Sequence, residues 1–212
     1  MFLAIIKPCM QSEKLLISLE KKADIHLMLQ RDTETKNSIF FTCNYKRDLI
    51  MNCPKITPKL EFSYFGGDSR SFIDALYRCF KKEFIDSTIL FRGKPVDIIH
   101  QAYWDGKERS FWHIVSSGEE DFDRNLDISR CETLPWASAL LLEQNTCSHY
   151  KVWIKYHDRT NRNRFYIWCD EINYIVIIED RNAYFKLITA YPVTPRNISR
   201  YQKEYDNYTN SI

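Results

Sequence analysis

The sequence predicts an α+β fold, in which N-terminal helices and short strands pack on a four-stranded antiparallel β-meander and a helix follows at the C-terminus. Three observations predict it. Four strand-like segments follow one another between residues 150 and 193, and the turns between them are too short for a crossover connection. Apolar residues at helical spacing occur before and after this region. Strands and helices do not alternate in the way that a parallel sheet requires.

The first 60 residues are predicted to form an α+β extension of unknown role. The apolar start, residues 1–10, has no basic residue ahead of it and no small-residue cleavage site, so it is interpreted as a strand rather than a signal peptide. A helix after Ser12 and a hairpin over residues 24–45 are expected next. The segment from Arg47 to Pro58 contains two prolines and no periodicity, which favours a domain boundary there.

A long helix is predicted to begin after the glycine pair at 66–67. Asp68 or Ser69 is placed to cap its first turn. Apolar residues then recur at helical spacing, at Phe72, Ile73, Leu76, Phe80 and Phe84. Further on, two short strand-like runs flank Arg92-Gly93-Lys94, which is predicted to be a tight hairpin turn.

The segment from Ser110 to Ser116 is predicted to be a strand. In that arrangement Phe111 and His113 share one face, and Trp112 and Ile114 share the other. Arg130 is expected just before a helix that has Pro135 at its first position.

The predicted meander has strands near residues 151–156, 164–169, 174–179 and 184–191. The connecting turns are rich in Asp and Asn, which favours tight antiparallel connections. Period 2 in the last strand places Phe185, Leu187, Thr189 and Tyr191 on one face. Thr189 and Tyr191 would then present two hydroxyl groups about 7 Å apart.

The first two predicted strands and their loop carry five cations against one anion, Asp158. The cations are Lys151, Lys155, Arg159, Arg162 and Arg164, and aromatic residues including Trp153 lie among them. Cations meet phosphates and aromatic rings stack on unpaired bases, so this surface is typical of RNA binding. The alternative is a soluble edge hairpin whose charges prevent aggregation and whose aromatic residues belong to the core.

The composition limits the classes of function. A net charge of +2 means that nucleic-acid binding must come from local patches. The seven cysteines show no paired spacing and no CxxC, which favours free thiols in a reducing cytoplasm and argues against a zinc site. No apolar run reaches the ~18 residues of a membrane span. We therefore expect a cytoplasmic protein with no metal, cofactor or membrane partner.

Cleavage of RNA without a metal needs a base, an acid and cations that stabilise the phosphorane. His113 is suited to be the base or the acid, because histidine ordinarily titrates near neutral pH. Arg130 and Arg164 can bind phosphate with two hydrogen bonds, and Thr189 and Tyr191 can orient it. A lone strand histidine is more often structural, however, and His149 and His157 are rival bases.

The order of these motifs resembles the phage- and prophage-associated nucleases of the barnase–EndoU–colicin–RelE superfamily. The resemblance runs from about Phe62 to Tyr205, so residues 61–212 are expected to form a nuclease-like α+β domain. The motifs that carry it are Phe111-Trp112-His113-Ile114, Arg130-Cys131-Glu132, Pro135-Trp136, Trp153, Arg164 and Thr189-Ala190-Tyr191. One departure is Thr133, which stands where the resemblance leads us to expect a second basic residue.

The resemblance implies a metal-independent endoribonuclease, often the toxin of a toxin–antitoxin or phage-defence system. It would cleave RNA by attack of the 2′-hydroxyl and leave a 2′,3′-cyclic phosphate, and a protein antitoxin is a possible partner. A non-catalytic RNA- or protein-binding module on the same fold is the alternative, as is a protein whose sheet only mediates assembly. The nuclease hypothesis requires His113, Arg130, Arg164, Thr189 and Tyr191 to surround one concave surface.

Overall fold

The protein is described by a computed structural model that covers residues 58–118, 125–142 and 149–212. The chain divides into two compact units, Met1–Lys46 and Arg47–Ile212, and all described residues belong to the second. The strand, helix and hairpin predicted for the first 57 residues therefore lie outside the described residues. The predicted α+β class is confirmed.

The described helices and strands follow one another in the mixed order that the sequence indicates. The helices are a short 3₁₀ helix (Phe62–Phe65), α1 (Ser69–Phe84), α2 (Arg109–Val115), α3 (Ile128–Glu132), α4 (Trp136–Leu142) and α5 (Pro195–Thr209). The strands are β1 (Ile89–Phe91), β2 (Lys94–Asp97), β3 (Ala102–Trp104), β4 (Lys107–Glu108), β5 (Ser116–Ser117), β6 (Asn125–Leu126), β7 (Tyr150–His157), β8 (Arg162–Cys169), β9 (Tyr174–Asp180) and β10 (Phe185–Pro192). None of these helices is long and apolar enough to span a membrane.

One large sheet organises the domain, with strands in the order β1-β2-β10-β9-β8-β7. The four predicted strands are β7 to β10, and they pair antiparallel in sequence order. The sheet is nevertheless six-stranded rather than four-stranded. The predicted hairpin at Arg92-Gly93 is the β1–β2 pair, and β2 adds to the edge of β10 in parallel.

The hairpin turns are made by residues that tolerate a left-handed backbone. Asn161, Asn173 and Asn182 have φ of 53°, 50° and 67°, and one of them lies in each turn of the β7–β10 meander. Asparagine adopts this conformation more readily than most residues do. Arg92 and Gly93 both have positive φ, as the two-residue turn between twisted strands requires.

The sheet separates two hydrophobic cores. Helices α1, α2 and α4 contribute to the main core on one face, and α1 begins at the predicted cap, since the Asp68 carboxylate accepts from the amides of Arg70 and Ser71. On the other face α5 covers a smaller core. Its members include Trp153, Trp168, Ile175 and Tyr201. The predicted apolar side of α5 is confirmed, because Ile198, Tyr205 and Tyr208 pack on this core together with Tyr201.

The predicted strand at Ser110–Ser116 is wrong, because this segment forms helix α2. Phe111, Trp112, Ile114 and Val115 are all buried. Period 2 would send two of these four side chains to the opposite face of a strand, whereas a helix turns all of them toward one core. A second correction concerns Arg130. It lies within its own short helix, α3, whose N-terminus is capped by Asp127.

Candidate active site

A β-bulge decides which residues of β10 face α5. Leu187 pairs with Ile178 and Thr189 pairs with Ile177, so one residue of β10 is extra. Thr189 and Tyr191 therefore share the α5 face. The prediction that Phe185 and Leu187 share it too is wrong, because the extra residue shifts the alternation and both belong to the main core. We call Lys186, Thr189 and Tyr191 the β10 strip.

Tyr191 lies at one end of the strip in a cluster of two phenols and two arginines. Its hydroxyl oxygen is 2.5 Å from that of Tyr201, with which it shares a hydrogen bond. The guanidinium of Arg130 lies over the Tyr191 ring, 4.8 Å from its centroid, and that of Arg200 lies 4.7 Å from the Tyr201 centroid. Both are cation–π contacts. We call these four residues the tyrosine end.

Burial raises the pKa of Tyr191, and the adjacent Tyr201 hydroxyl adds to the effect. The positive charges of Arg130 and Arg200 oppose it without reversing it. Tyr191 is therefore a neutral phenol at neutral pH. It can donate or accept a hydrogen bond, but it is a poor base.

Arg130 is held from two sides. Its Nη1 donates to the carbonyl oxygen of Ser116 (3.0 Å), and its Nε lies 3.7 Å from Oδ2 of Asp127. Since a guanidinium carries five N–H donors in a fixed plane, this anchoring sets its orientation and leaves further donors for a ligand. The neighbouring motif residues have structural roles. Burial raises the pKa of the Cys131 thiol to about 12, and the Glu132 carboxylate accepts from the amide of Phe62.

His113 lies on the less buried side of α2. It and Arg109 are half-buried, whereas the other five residues of the helix are buried. The two are one helical turn apart and so share a side. Burial lowers the pKa of Lys186, and the charges of Arg181 and Arg109 add to this effect. Ser116 directly follows α2, and its carbonyl oxygen accepts a hydrogen bond from Arg130. The guanidinium of Arg130 in turn lies over the Tyr191 ring.

Helix α2 contacts β10 directly, and its buried residues belong to the main core. His113 is therefore carried by an element that adjoins the strand of Thr189 and Tyr191.

The other end of the strip belongs to a row of ionisable side chains that crosses five strands in register. Pairing aligns Asp97 with Lys186, Lys186 with Glu179, Glu179 with Arg164, and Arg164 with Lys155. Val96, Ile178 and Phe165 are sequence neighbours of members of this row, and their side chains point into the main core. Because side chains alternate along a strand, the row lies on the α5 face. We call it the charged row; its members are Asp97, Lys186, Glu179, Arg164 and Lys155.

Glu179 is the centre of the charged row, and its side chain is 0% exposed. Its Oε2 accepts from Nε of Arg164 (2.9 Å) and from the Thr160 hydroxyl (2.8 Å), and its Oε1 lies 2.6 Å from Nη2 of Arg181. Burial opposes ionisation, but these hydrogen bonds and the two arginine charges together outweigh it, so the pKa of Glu179 lies below its ordinary value. The carboxylate is a buried counter-ion for two guanidinium groups.

The five predicted catalytic residues are brought together only in part. Arg130 contacts Tyr191, Thr189 shares its face, and His113 lies on the adjacent helix. Arg164 lies on the same face at the far end. It pairs with Glu179, whereas Tyr191 pairs with Ile175 four residues earlier in β9, a separation of about 13 Å along the strand.

The predicted RNA-binding residues separate into two groups. Trp153 is 1% exposed beneath α5, where a base cannot stack on it, and its Nε1 donates to Glu204. Lys151 pairs with Asp170 and Lys155 with Glu204, so both lysines have acidic partners. Arg159 is exposed in the β7–β8 turn. Arg162 donates to the Asp180 carbonyl (3.5 Å) near the charged row.

Several residues of this surface were not found from the sequence. They are Arg109, Arg181, Lys186, Arg200 and Tyr201. The signal for Lys186 was incomplete, because strict alternation places it on the face opposite Thr189 and only the bulge brings the two residues onto one face. For Arg109 and Arg181 no comparable signal existed, since each depends on how separate elements pack.

No family model matches the chain, and no curated protein or solved structure is significantly similar to it. What this surface can do is therefore inferred from its own geometry.

Proposed function

We propose that this protein is a metal-independent endoribonuclease whose active site is formed by Thr189 and Tyr191 of the β10 strip, by Arg130 and by the adjacent helix α2. One observation supports this most strongly. Arg130 lies over Tyr191 on a strand face that also presents Thr189, and helix α2, which carries His113, contacts the same strand, so an imidazole, a guanidinium and two hydroxyl groups come from elements that adjoin one another. These are the groups that RNA cleavage without a metal needs.

In the proposed reaction the ribose 2′-oxygen attacks the adjacent phosphorus. The P–O2′ bond forms, the P–O5′ bond breaks, and the products are a 2′,3′-cyclic phosphate and a 5′-hydroxyl. His113 takes the proton of the 2′-hydroxyl or supplies the proton of the leaving 5′-oxygen. Arg130 binds the non-bridging phosphate oxygens, whose charge grows in the transition state, and Tyr191 and Thr189 orient the phosphate. Arg164 acts at a distance from this centre, in the charged row.

Cleavage of a single-stranded RNA oligonucleotide in EDTA tests the proposal. We expect a 2′,3′-cyclic phosphate product from the full-length protein and no cleavage where the scissile nucleotide is 2′-deoxy. His113→Ala should lower kcat about 100-fold or more, the usual contribution of a general acid or base. The control is His149→Ala, because His149 pairs with Asp170 at the β7 edge, far from β10.

Three outcomes would contradict the proposal. The first is cleavage that requires Mg²⁺, the second is cleavage of the 2′-deoxy oligonucleotide, and the third is full activity in a folded His113→Ala variant.

A role as a toxin or phage-defence effector, with a protein antitoxin as partner, rests on the resemblance described above and belongs to the same proposal. If it is right, expression should arrest growth, and His113→Ala or Tyr191→Phe should relieve the arrest without unfolding the protein. Sequencing of the 5′ ends of cellular RNAs soon after induction would identify the target. Arrest that persists in both folded variants would remove these residues from the toxic activity.

The alternative is a module that binds RNA or protein without cleaving it. One observation favours it: the hydroxyl of Tyr191 is bonded to Tyr201, and Arg164 is bonded to Glu179, so both groups already have partners within the protein. RNA binding without cleavage in the EDTA experiment would support this alternative.

A further inference from the structure

Lys186 is the lysine that β10 contributes to the charged row. It pairs in register with Glu179 and Asp97, yet among the described residues it makes neither a hydrogen bond nor an ion pair. The two oxygens of Glu179 are occupied by Arg164, Thr160 and Arg181. The Asp97 carboxylate is engaged by His100, whose Nε2 lies 2.8 Å from Oδ1, and by the amide of Ile98.

The surroundings of Lys186 contain more positive than negative charge. Arg164, Arg181 and Lys186 itself face the carboxylates of Glu179 and Asp97. Burial, followed by the charge of Arg181, lowers the pKa of Lys186. An anion bound here would offset this excess of positive charge.

Glu179 also sets the geometry of the arginines. Because it is buried beneath them, it fixes one edge of each guanidinium, and the side chains of Arg164 and Arg181 remain 19% and 26% exposed. A guanidinium held along one edge can present its other N–H groups to a phosphate. Arg181 comes from the β9–β10 turn, so two strands and a turn contribute to the same point.

From these contacts we infer that Lys186 and Arg181, supported by Arg164 and positioned by Glu179, bind a second RNA phosphate on the strand that flanks the cleaved bond. This inference rests on the proposed function and specifies its substrate as an extended single strand. The charged row and Tyr191 are about 13 Å apart along the sheet, far more than one phosphate group spans, so the two ends of the strip cannot hold the same phosphate.

The test is the salt dependence of binding to a 2′-O-methyl oligouridine, which cannot be cleaved because its 2′-oxygen is blocked. Each phosphate contact contributes about 0.7 to the slope of log affinity against log salt for a single strand. We expect Lys186→Gln and Arg181→Gln each to lower the slope by about this amount and to weaken binding about tenfold. Lys186→Arg should keep both quantities, because it keeps the charge.

The matched control is Lys81→Gln, since Lys81 is exposed on α1, on the opposite side of the sheet. If Lys186→Gln and Arg181→Gln leave the slope unchanged in folded proteins, the second phosphate site is wrong. With a cleavable oligonucleotide, loss of this contact should raise KM and leave kcat nearly unchanged, whereas an unchanged KM would also overturn the inference.

Failure of the inference and failure of the proposed function can be told apart. If the protein cleaves RNA but Lys186→Gln and Arg181→Gln leave the salt dependence of binding unaltered, only the second phosphate site is wrong. If these variants alter the salt dependence of binding but the protein cleaves no RNA, the proposed nuclease activity is wrong. The protein then has an RNA-binding surface that includes Lys186.

Discussion

The two ends of the β10 strip hold their cations in different ways. At the tyrosine end, Arg130 and Arg200 lie over phenol rings, and the two hydroxyl groups bond to each other. In the charged row, the buried carboxylate of Glu179 pairs with Arg164 and with Arg181 of the adjacent turn, and Lys186 lies beside them. An aromatic ring attracts a cation without neutralising it, whereas a carboxylate does neutralise it.

The difference indicates where chemistry and where binding belong. The carboxylate partner of Arg130, Asp127, lies at 3.7 Å, farther than Glu179 lies from its arginines, so Arg130 keeps more of its charge for a phosphate whose charge increases during reaction. The positive charge of the guanidinium groups around Glu179 is partly neutralised by that carboxylate. These groups therefore suit a site that only holds a phosphate in place. The contrast also concerns stability, because the charged row depends on a buried ion pair and the tyrosine end on a hydrogen bond between neutral groups.

Removing Glu179 is expected to have the largest effect on stability. Glu179→Ala leaves Arg164 and Arg181 without their buried counter-ion, and breaking a buried pair in this way costs about 3–5 kcal/mol in the free energy of unfolding. Urea denaturation measures it. Glu171→Ala, at an exposed position in the β8–β9 turn, is the control and should change the free energy by less than about 0.5 kcal/mol. If both variants change the free energy of unfolding by a similarly small amount, the charged row does not depend on its buried ion pair and the two ends do not differ in this respect.

Acid should weaken the charged row and spare the tyrosine end. Because the folded-state pKa of Glu179 is lowered, its contribution to stability is complete above its unfolded pKa of about 4.3 and is lost as the pH falls through the lower folded value. The measurement is the free energy of unfolding between about pH 6 and pH 3. Glu179→Gln should lack this component of the acid dependence. An identical pH profile in the variant would show that other carboxylates account for it.

The tyrosine pair should contribute less. Tyr191→Phe removes a hydrogen bond between neutral hydroxyl groups, which is worth about 1 kcal/mol. A double-mutant cycle with Tyr201→Phe isolates this term, since both single variants delete the same bond, and the coupling energy should be of that size. A coupling near zero would mean that the two hydroxyl groups do not depend on each other.

Much of the fold could be predicted because it depends on local patterns. The cap at Asp68, the turn at Arg92-Gly93 and the meander follow from residue types at fixed spacing, and the apolar side of α5 follows from its period. Helix α2 could not be predicted in this way. Seven residues of which five are buried show no clear period, so only the core around them decides between a strand and a helix.

The candidate site divides along the same line. Period 2 was enough to place Thr189 and Tyr191 on one face, but the bulge reassigned Phe185 and Leu187, and nothing in the local sequence marks the extra residue. The basic residues of β7 looked like an RNA surface in the sequence. Lys151 and Lys155 instead pair with acidic residues, and Trp153 is covered by α5, because a helix more than 40 residues later packs there.

By itself, the sequence determined the α+β class, the antiparallel meander and the amphipathic α5, because propensity, turn chemistry and hydrophobic period act over a few residues. Only the tertiary structure decided which charges meet. Strand register aligned Asp97, Lys186, Glu179, Arg164 and Lys155 in one row, and helix packing placed Arg130 on Tyr191. These contacts join residues that are distant in the chain, and no local pattern records which of them pack together.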